Sequence, residues 1–216
     1  MTLALRVALA GALLIALAPP AGAQAPPPKV GPFVVDVRGL FVKFPDALAV
    51  ADSRGLDTAQ LPGAAFGGGL GLHVYLLKCK QVTFGIGGEV VGLRAHNVPP
   101  AGAPTSALPG ATEKFLSASP QLSFNFGGSN GWSYISGGIG LSEWSIVPDG
   151  AEPQDADTAR LKTINYGGGG RWFMKKHLAF SSDVRVYAIN PGPPSASFPG
   201  SPRSSLTVIG AGISVK

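Results

Sequence analysis

The 216-residue sequence contains little charge and a single cysteine. Charged residues make up 13% of the chain and hydrophobic residues 45%, which excludes an intrinsically disordered chain, because such chains are polar and strongly charged. Cys79 alone cannot form an intrachain disulfide. This cysteine and the three histidines lack zinc-ligand spacing, and no loop has the acidic spacing of a calcium site. We therefore predict no metal site and no cofactor.

Long apolar runs are also missing, apart from one near the N-terminus. Residues 7–18 are apolar, follow the single charge of Arg6 and precede Ala21-Gly22-Ala23, a small-x-small cleavage pattern. This run is too short for a membrane-spanning helix, which needs about 20 apolar residues. We therefore predict three parts: a Sec-type signal peptide over residues 1–23, a Pro-rich linker over 24–32 and a β domain over 33–216.

The mature part of the chain alternates between apolar and polar residues in eight segments bounded by turn residues. They cover approximately residues 33–44, 64–77, 80–95, 115–126, 131–146, 160–173, 177–190 and 204–216. Short connections alternate with long ones rich in Pro, Ala, Ser and Asp. This pattern predicts an all-β fold, an eight-stranded antiparallel up-and-down β-barrel closed without a free edge.

Each predicted strand has one apolar face and one face of small or polar residues. In the seventh strand, Phe180, Val184 and Val186 alternate with Asp183 and Arg185. The second face is too polar for a dry core, so we expect it to line the lumen of a transmembrane barrel whose apolar face meets lipid. The opposite assignment, a lipocalin-like soluble barrel, remains an alternative because eight strands permit either.

Charged residues within the predicted strands recur on the small polar face, as three acids and three bases. Opposite charges that converge in a narrow lumen neutralise one another by ion pairing. We predict a structural network of lumen charges, made of Asp36, Arg38, Glu89, Arg171, Asp183 and Arg185. The Asp-Val-Arg tripeptide occurs twice in this set, in strands that would both flank the eighth strand after closure.

Two further groups of residues carry expectations about the ends of the barrel. Aromatic residues near the short turns are typical of an interfacial girdle. They are Phe84, Phe124, Phe126, Trp132, Trp172, Phe173 and Phe180. The third long connection contains a loose acidic cluster, which we expect to be solvated. Its members are Asp149, Glu152, Asp155 and Asp157.

Together these features resemble the small outer-membrane β-barrels of the OmpA/OmpX/OmpW type. The resemblance covers Phe33 to Lys216 and rests on the signal peptide, strand count, loop alternation and the pattern Asp183-Val184-Arg185-Val186-Tyr187. It implies short periplasmic turns, long extracellular loops and a location in the cell outer membrane. It also implies two partners, the outer-membrane lipids and the outer-membrane assembly machinery. The chain departs from the family by ending on Lys216, where members usually carry an aromatic residue.

Catalytic motifs are lacking. The resemblance points to lipid A-modifying barrels that carry a His-x-Ser pair or His, Asp and Ser near the outer surface. None of His73, His96 and His177 has a serine two positions on, whereas acyl transfer needs nucleophile and base together. We therefore predict no enzymatic activity and no catalytic residues.

The predicted function is that of a non-enzymatic, porin-like or OmpA-like outer-membrane protein. Its role would be structural, adhesive or binding, through long loops that meet an unidentified extracellular ligand. Nucleic acid is not expected as a partner, because the lysines fall at turns and strand ends rather than in a stripe with aromatic residues. The alternatives are a soluble periplasmic lipid-binding barrel and an outer-membrane lipid A-modifying enzyme.

Overall fold

The computed structural model describes residues 30–102, 104–128, 130–194 and 199–216. The predicted signal peptide and residues 24–29 of the predicted linker lie outside this part of the chain. Eight strands form one closed antiparallel barrel in sequence order, which confirms the predicted up-and-down fold. They are β1 (Phe33–Lys43), β2 (Ala64–Cys79), β3 (Val82–Asn97), β4 (Ala111–Gly128), β5 (Gly131–Pro148), β6 (Arg160–Phe173), β7 (Leu178–Ile189) and β8 (Ser204–Val215).

Short turns join the strands at one end of the barrel and long loops join them at the other. The loops are L1 (residues 44–63), L2 (98–110), L3 (149–159) and L4 (190–203). L1 contains helix α1 (Leu48–Asp52) and a single 3-10 turn (Thr58–Gln60), and L3 contains helix α2 (Asp155–Thr158). In the described residues, no helix is long and apolar enough to cross a membrane.

The outward faces carry an apolar belt that runs from the short turns to beyond the middle of the strands. Its side chains are exposed, as Val37 (48%), Leu122 (62%) and Ile139 (66%) illustrate. The belt is made of Val35, Val37, Leu70, Leu72, Val74, Ile86, Val90, Leu116, Leu122, Phe124, Ile135, Ile139, Ile164, Val184, Ile209 and Ile213. The apolar faces therefore point outward, as the alternation predicted.

Toward the long loops the polarity of the wall reverses. The outward face there carries a band of charged residues on β1 and β3 to β6, the outer collar, made of Lys43, Arg94, Lys114, Glu143, Arg160 and Lys162. Phe41 and Phe66 remain exposed beside it on β1 and β2. The inward face is an apolar core, the loop-end core, made of residues such as Val91, Leu93, Phe115, Trp144, Ile146, Leu161 and Leu206. The expectation of a polar lumen along the whole barrel is therefore wrong at this end. A charged exterior around an apolar interior is the pattern of a barrel that is surrounded by water.

Strand length explains why the two halves differ. A tilted strand needs about 9–11 residues to cross a bilayer, whereas β4 and β5 each have 18. β4 begins at Ala111 rather than near residue 115, and this extension of the strand places Glu113 in the interior. The apolar alternation predicts a strand only from about residue 115, because the charged residues Glu113 and Lys114 at the strand end interrupt the pattern.

The aromatic residues near the short turns divide between the two sides of the wall. Phe84, Phe124, Phe126, Trp172 and Phe180 are exposed on the outside. Trp132 points into the barrel, is only 3% exposed and stacks on Phe173 with the ring centroids 4.9 Å apart. The expectation that these two belong to an outer girdle is therefore wrong. Trp132 shares strand parity with Tyr134 and Ser136, which also face inward.

Candidate functional site: the lumen charge network and the loop plug

The six charged residues predicted to share the lumen all point into the barrel. Their exposed fractions range from 1% for Asp36 to 6% for Glu89. They come from four strands, and strand parity alone places each on the inner face. The structure brings them together in two clusters at neighbouring levels.

The first cluster joins two bases to two acids. Arg38 on β1 donates through one nitrogen to Glu89 on β3 and through the other to Asp183 on β7. Arg185 lies 3.3 Å from Glu89 and 3.6 Å from Asp183. Each carboxylate therefore faces both guanidinium groups, so the four charges neutralise one another in the lumen. Such mutual satisfaction is what makes buried charges tolerable.

The second cluster is a two-point pair between Arg171 on β6 and Asp36 on β1. Arg171 Nε lies 2.9 Å from Asp36 Oδ1, and Nη2 lies 2.6 Å from Oδ2. The Ser214 hydroxyl donates a further hydrogen bond to the same carboxylate. The guanidinium group also lies 4.0 Å from the centre of the Tyr134 ring, at cation–π distance. This pair links β6 to β1 across the lumen.

Neutral inward-facing side chains complete the network and were not singled out from the sequence. The Tyr187 hydroxyl donates to Glu89 over 2.5 Å, and the Tyr134 hydroxyl donates to Asp183 over 3.2 Å. Asn165 accepts from Gln121 over 3.0 Å and from Arg185 over 3.2 Å. Inward parity was the only signal that could have found these residues, and it does not specify which of them meet.

The network has the partners of a structural core rather than those of an acyl-transfer site. His73 is buried in the lumen, His177 contacts the backbone carbonyl of Lys216, and His96 lies 3.0 Å from Asp149 on the outside. In the described residues, no hydrogen bond joins a histidine to a serine or threonine hydroxyl. The pairing of a histidine base with a hydroxyl nucleophile, which acyl transfer requires, is therefore not assembled in this part of the chain.

At the loop end, L1 folds over the mouth of the barrel and its Arg54 enters the interior. Arg54 is 3% exposed, and its Nε donates to the Asp157 carboxylate of L3 over 2.7 Å. The other two nitrogens reach the Trp144 carbonyl over 2.9 Å and the Ser201 hydroxyl of L4 over 3.0 Å. One guanidinium group thus ties L1, L3 and L4 together.

Asp157 has the opposite environment to the one expected from the sequence. It is 2% exposed, and besides Arg54 it accepts hydrogen bonds from the backbone nitrogens of Ile146 and Gln154, each over 2.9 Å. The expectation of a wholly solvated acidic cluster is therefore wrong for this residue. The other acids of L3 gave the same sequence signal, so only the three-dimensional contact with Arg54 separates Asp157 from them.

L1 is also fastened to L2 and β3. The Gln60 side chain donates to the Pro109 carbonyl over 2.9 Å, and the Asn97 side chain donates to the Ala59 carbonyl over 2.8 Å. Below these contacts, Val50, Ala51 and Leu61 of L1 join the loop-end core. We call L1 together with its contacts to the other loops the loop plug. It closes the mouth of the barrel.

Glu113 lies under the loop plug, at the level of the outer collar and above the apolar belt. It is fully buried, and its Oε1 accepts a 2.7 Å hydrogen bond from Trp144 Nε1. Burial raises the pKa of Glu113 to about 8, although the Trp144 hydrogen bond and the charge of Arg54 both act to lower it. A group that is neutral at pH 7 fits the apolar surroundings better than an unpaired carboxylate would.

The barrel matches solved structures. The crystal structure of Neisserial surface protein A aligns with a TM-score of 0.52 and 13% sequence identity, covering 86% of this chain and 97% of that one. This chain has the eight-stranded barrel fold seen in that structure. The N-terminal β-barrel domain of Pseudomonas aeruginosa OprF gives a TM-score of 0.42, 10% identity and coverage of 84% and 96%. Ail, the attachment invasion locus protein of Yersinia pestis, gives 0.46, 14% identity and coverage of 85% and 95%.

At these identities the likeness extends to the fold and no further. No family model matches the chain, and no curated protein sequence matches it.

Proposed function

We propose that this protein is a non-enzymatic β-barrel of the outer membrane, of the OmpA/OmpX/OmpW type, which acts through the surface of its long loops. The observation that carries the proposal is the apolar belt wrapped around buried ion pairs. Exposed Leu, Ile, Val and Phe side chains form a ring around the barrel, and the six lumen charges lie behind it. A soluble barrel has the reverse arrangement, whereas lipid is the solvent that such a belt requires.

The interior supports a structural role rather than transport. Eight-stranded barrels are narrow, and here the Arg38 and Arg171 clusters cross the lumen while the loop-end core and the loop plug fill the mouth. The loops are fastened to one another, so they present one fixed surface. A rigid scaffold with long loops suits binding or adhesion to a partner outside the cell.

Two measurements test the proposal together. We expect the protein to fractionate with the outer membrane and to migrate faster on a detergent gel before boiling than after it. Release into the periplasmic fraction on osmotic shock would instead support the soluble lipid-binding alternative. Mass analysis of lipid A from cells with and without the protein tests the enzyme alternative, and we expect identical spectra.

A further inference from the structure

A lateral groove crosses the apolar belt from β2 to β6. It encloses about 880 Å³ on the outer surface. Its walls are apolar and formed by Leu72, Ile86, Leu122, Ile139, Ile164 and Tyr166. Gly88 and Pro120 have outward parity on its floor, and neither has a long side chain to fill it.

The floor of the groove is built into the backbone. The β4–β5 pairing is interrupted at Ser119 and Pro120, and proline has no N–H to donate. A Cβ atom at Gly138 would lie 1.9 Å from the Pro120 carbonyl oxygen, so only glycine fits there. The β4 and β5 backbones therefore approach closely at the floor of the groove.

The outer collar directly above the groove is predominantly cationic. Arg94 on β3 and Lys114 on β4 are directly opposed cross-strand neighbours, and both point outward. Like charges in this position repel each other. Neither residue forms an ion pair in the described part of the chain, and Glu143 on β5 is the acid nearest to them in the collar. This arrangement is suited to an anionic group bound from outside.

Lys162 extends the cationic surface to the edge of the groove. It lies on β6, faces outward and is two residues from Ile164 in the groove wall. Leu141 is its neighbour on β5, so the outer surface of the barrel changes from charged to apolar at this level. A ligand that spans this boundary has to be amphipathic.

The separation of Arg94 and Lys114 from the groove floor matches the thickness of one leaflet of a membrane. Arg94 is six residues from Gly88 on β3, and Lys114 is six residues from Pro120 on β4. Six residues at about 3.3 Å each, on a strand tilted by about 40°, rise roughly 15 Å. The hydrocarbon core of a bilayer is about 30 Å thick, so one leaflet contributes about the same distance.

We propose that Arg94, Lys114 and Lys162 bind the phosphate groups of an anionic outer-leaflet lipid whose acyl chain occupies the lateral groove. This inference rests on the proposed placement of the barrel in the outer membrane and adds the chemical class of the lipid and its site. The cations supply charge complementarity for the phosphate, and the groove supplies an apolar seat at the depth that the acyl chain reaches.

The experiment uses the folded protein in neutral detergent micelles, with diphosphoryl lipid A as the probe and native mass spectrometry as the readout. We expect the Arg94→Gln/Lys114→Gln variant to bind lipid A roughly 10- to 30-fold more weakly, since each cation near an anionic lipid surface contributes about a factor of five. Lys175→Gln/Lys176→Gln, a matched pair at the short-turn end, should bind as the wild type does. Equal affinity of both variants would overturn the proposal.

A second arm separates the lipid from other occupants. Leu122→Trp should fill the groove and weaken lipid A binding, whereas Ile213→Trp on the opposite wall should leave it unchanged. Inorganic phosphate at the same concentration should not displace lipid A, and displacement would show a site for free phosphate. A stable dimer that lipid A does not dissociate would show that a second copy occupies the groove.

Heat-modifiable migration, measured for every variant, shows whether the barrel has folded. It therefore separates a failure of the lipid site from a failure of the proposed function. A variant pair that folds, inserts into the outer membrane and still binds lipid A with wild-type affinity would refute the lipid site alone. A wild-type protein that fails to reach the outer membrane would refute the proposed function itself.

Discussion

Arg54 of L1 and Asp157 of L3 form a buried ion pair at 2.7 Å, across 103 residues of sequence. Each is 2% exposed in its side chain. Because the same guanidinium group reaches Trp144 and Ser201, this pair is the centre of the loop plug. Arg54 therefore joins L1, L3 and L4 into one unit.

The first prediction concerns this pair. Asp157→Asn leaves the Arg54 charge buried without its partner, and breaking a buried pair in this way costs about 3–5 kcal/mol. We expect limited proteolysis to cut L1 and L3 faster while the strands stay protected and the gel shift on boiling persists. Asp155→Asn is the matched control, because Asp155 is exposed in the same helix. Equal cleavage of both variants would contradict a clamp role.

The second prediction concerns the lumen charges. Arg38→Met removes the base that bridges Glu89 and Asp183, which leaves two buried carboxylates to share Arg185. We expect the free energy of unfolding in urea, measured in detergent micelles, to fall by about 3–5 kcal/mol. Adding Glu89→Gln should recover part of this loss, because one unpaired charge is then removed. A double variant less stable than Arg38→Met would mean that the charges do not act as one network.

The third prediction tests the two faces of one strand. Val184 on β7 is 43% exposed on the apolar belt, whereas Ser181 is fully buried in the lumen. Val184→Asp should block assembly, because a carboxylate would have to enter hydrocarbon, and Ser181→Ala should assemble normally. Outer-membrane yield and heat-modifiable migration measure both. Equal tolerance at the two positions would show that the apolar face does not meet lipid.

The fourth prediction tests the loop-end core. Phe115 is fully buried and its ring meets Tyr187 with the centroids 5.4 Å apart. Phe115→Ala should lower the free energy of unfolding by about 3–5 kcal/mol, because it leaves a cavity in packed apolar surroundings. Lys114→Ala, one residue away and pointing outward, should change it by less than about 0.5 kcal/mol. Similar effects of the two changes would contradict an apolar interior at this level.

The fifth prediction concerns pH. The pKa of Glu113 is raised from its ordinary value of 4.5 to about 8, so the unfolded chain loses this proton at lower pH than the folded one. The resulting destabilisation is absent below pH 4.5, grows as the pH rises and is complete above pH 8. Glu113→Gln should remove this part of the pH dependence. Urea unfolding at pH 5, 7 and 9 measures it, and parallel curves for wild type and variant would contradict a neutral Glu113.

The alternation of residue types by itself determined the number of strands, their order and which residues share one face of each strand. Period-two alternation fixes the side of a strand on which a residue lies, and closed meander topology then follows from short and long connections in turn. The six lumen charges could be named on this basis, because each has inward parity. The same reasoning applied to Trp132 would have placed it inside.

Tertiary structure decided where each inward-facing residue lies along the barrel axis and which partners it meets there. Parity does not say how far along the barrel axis a residue lies, so it could not distinguish the charged half of the lumen from the loop-end core. Nor could it pair Arg38 with Glu89 and Asp183, since those partners come from strands far apart in sequence. Asp157 was selected from four similar acids only because L1 delivers Arg54 to it, a contact that depends on how the closed barrel arranges its loops.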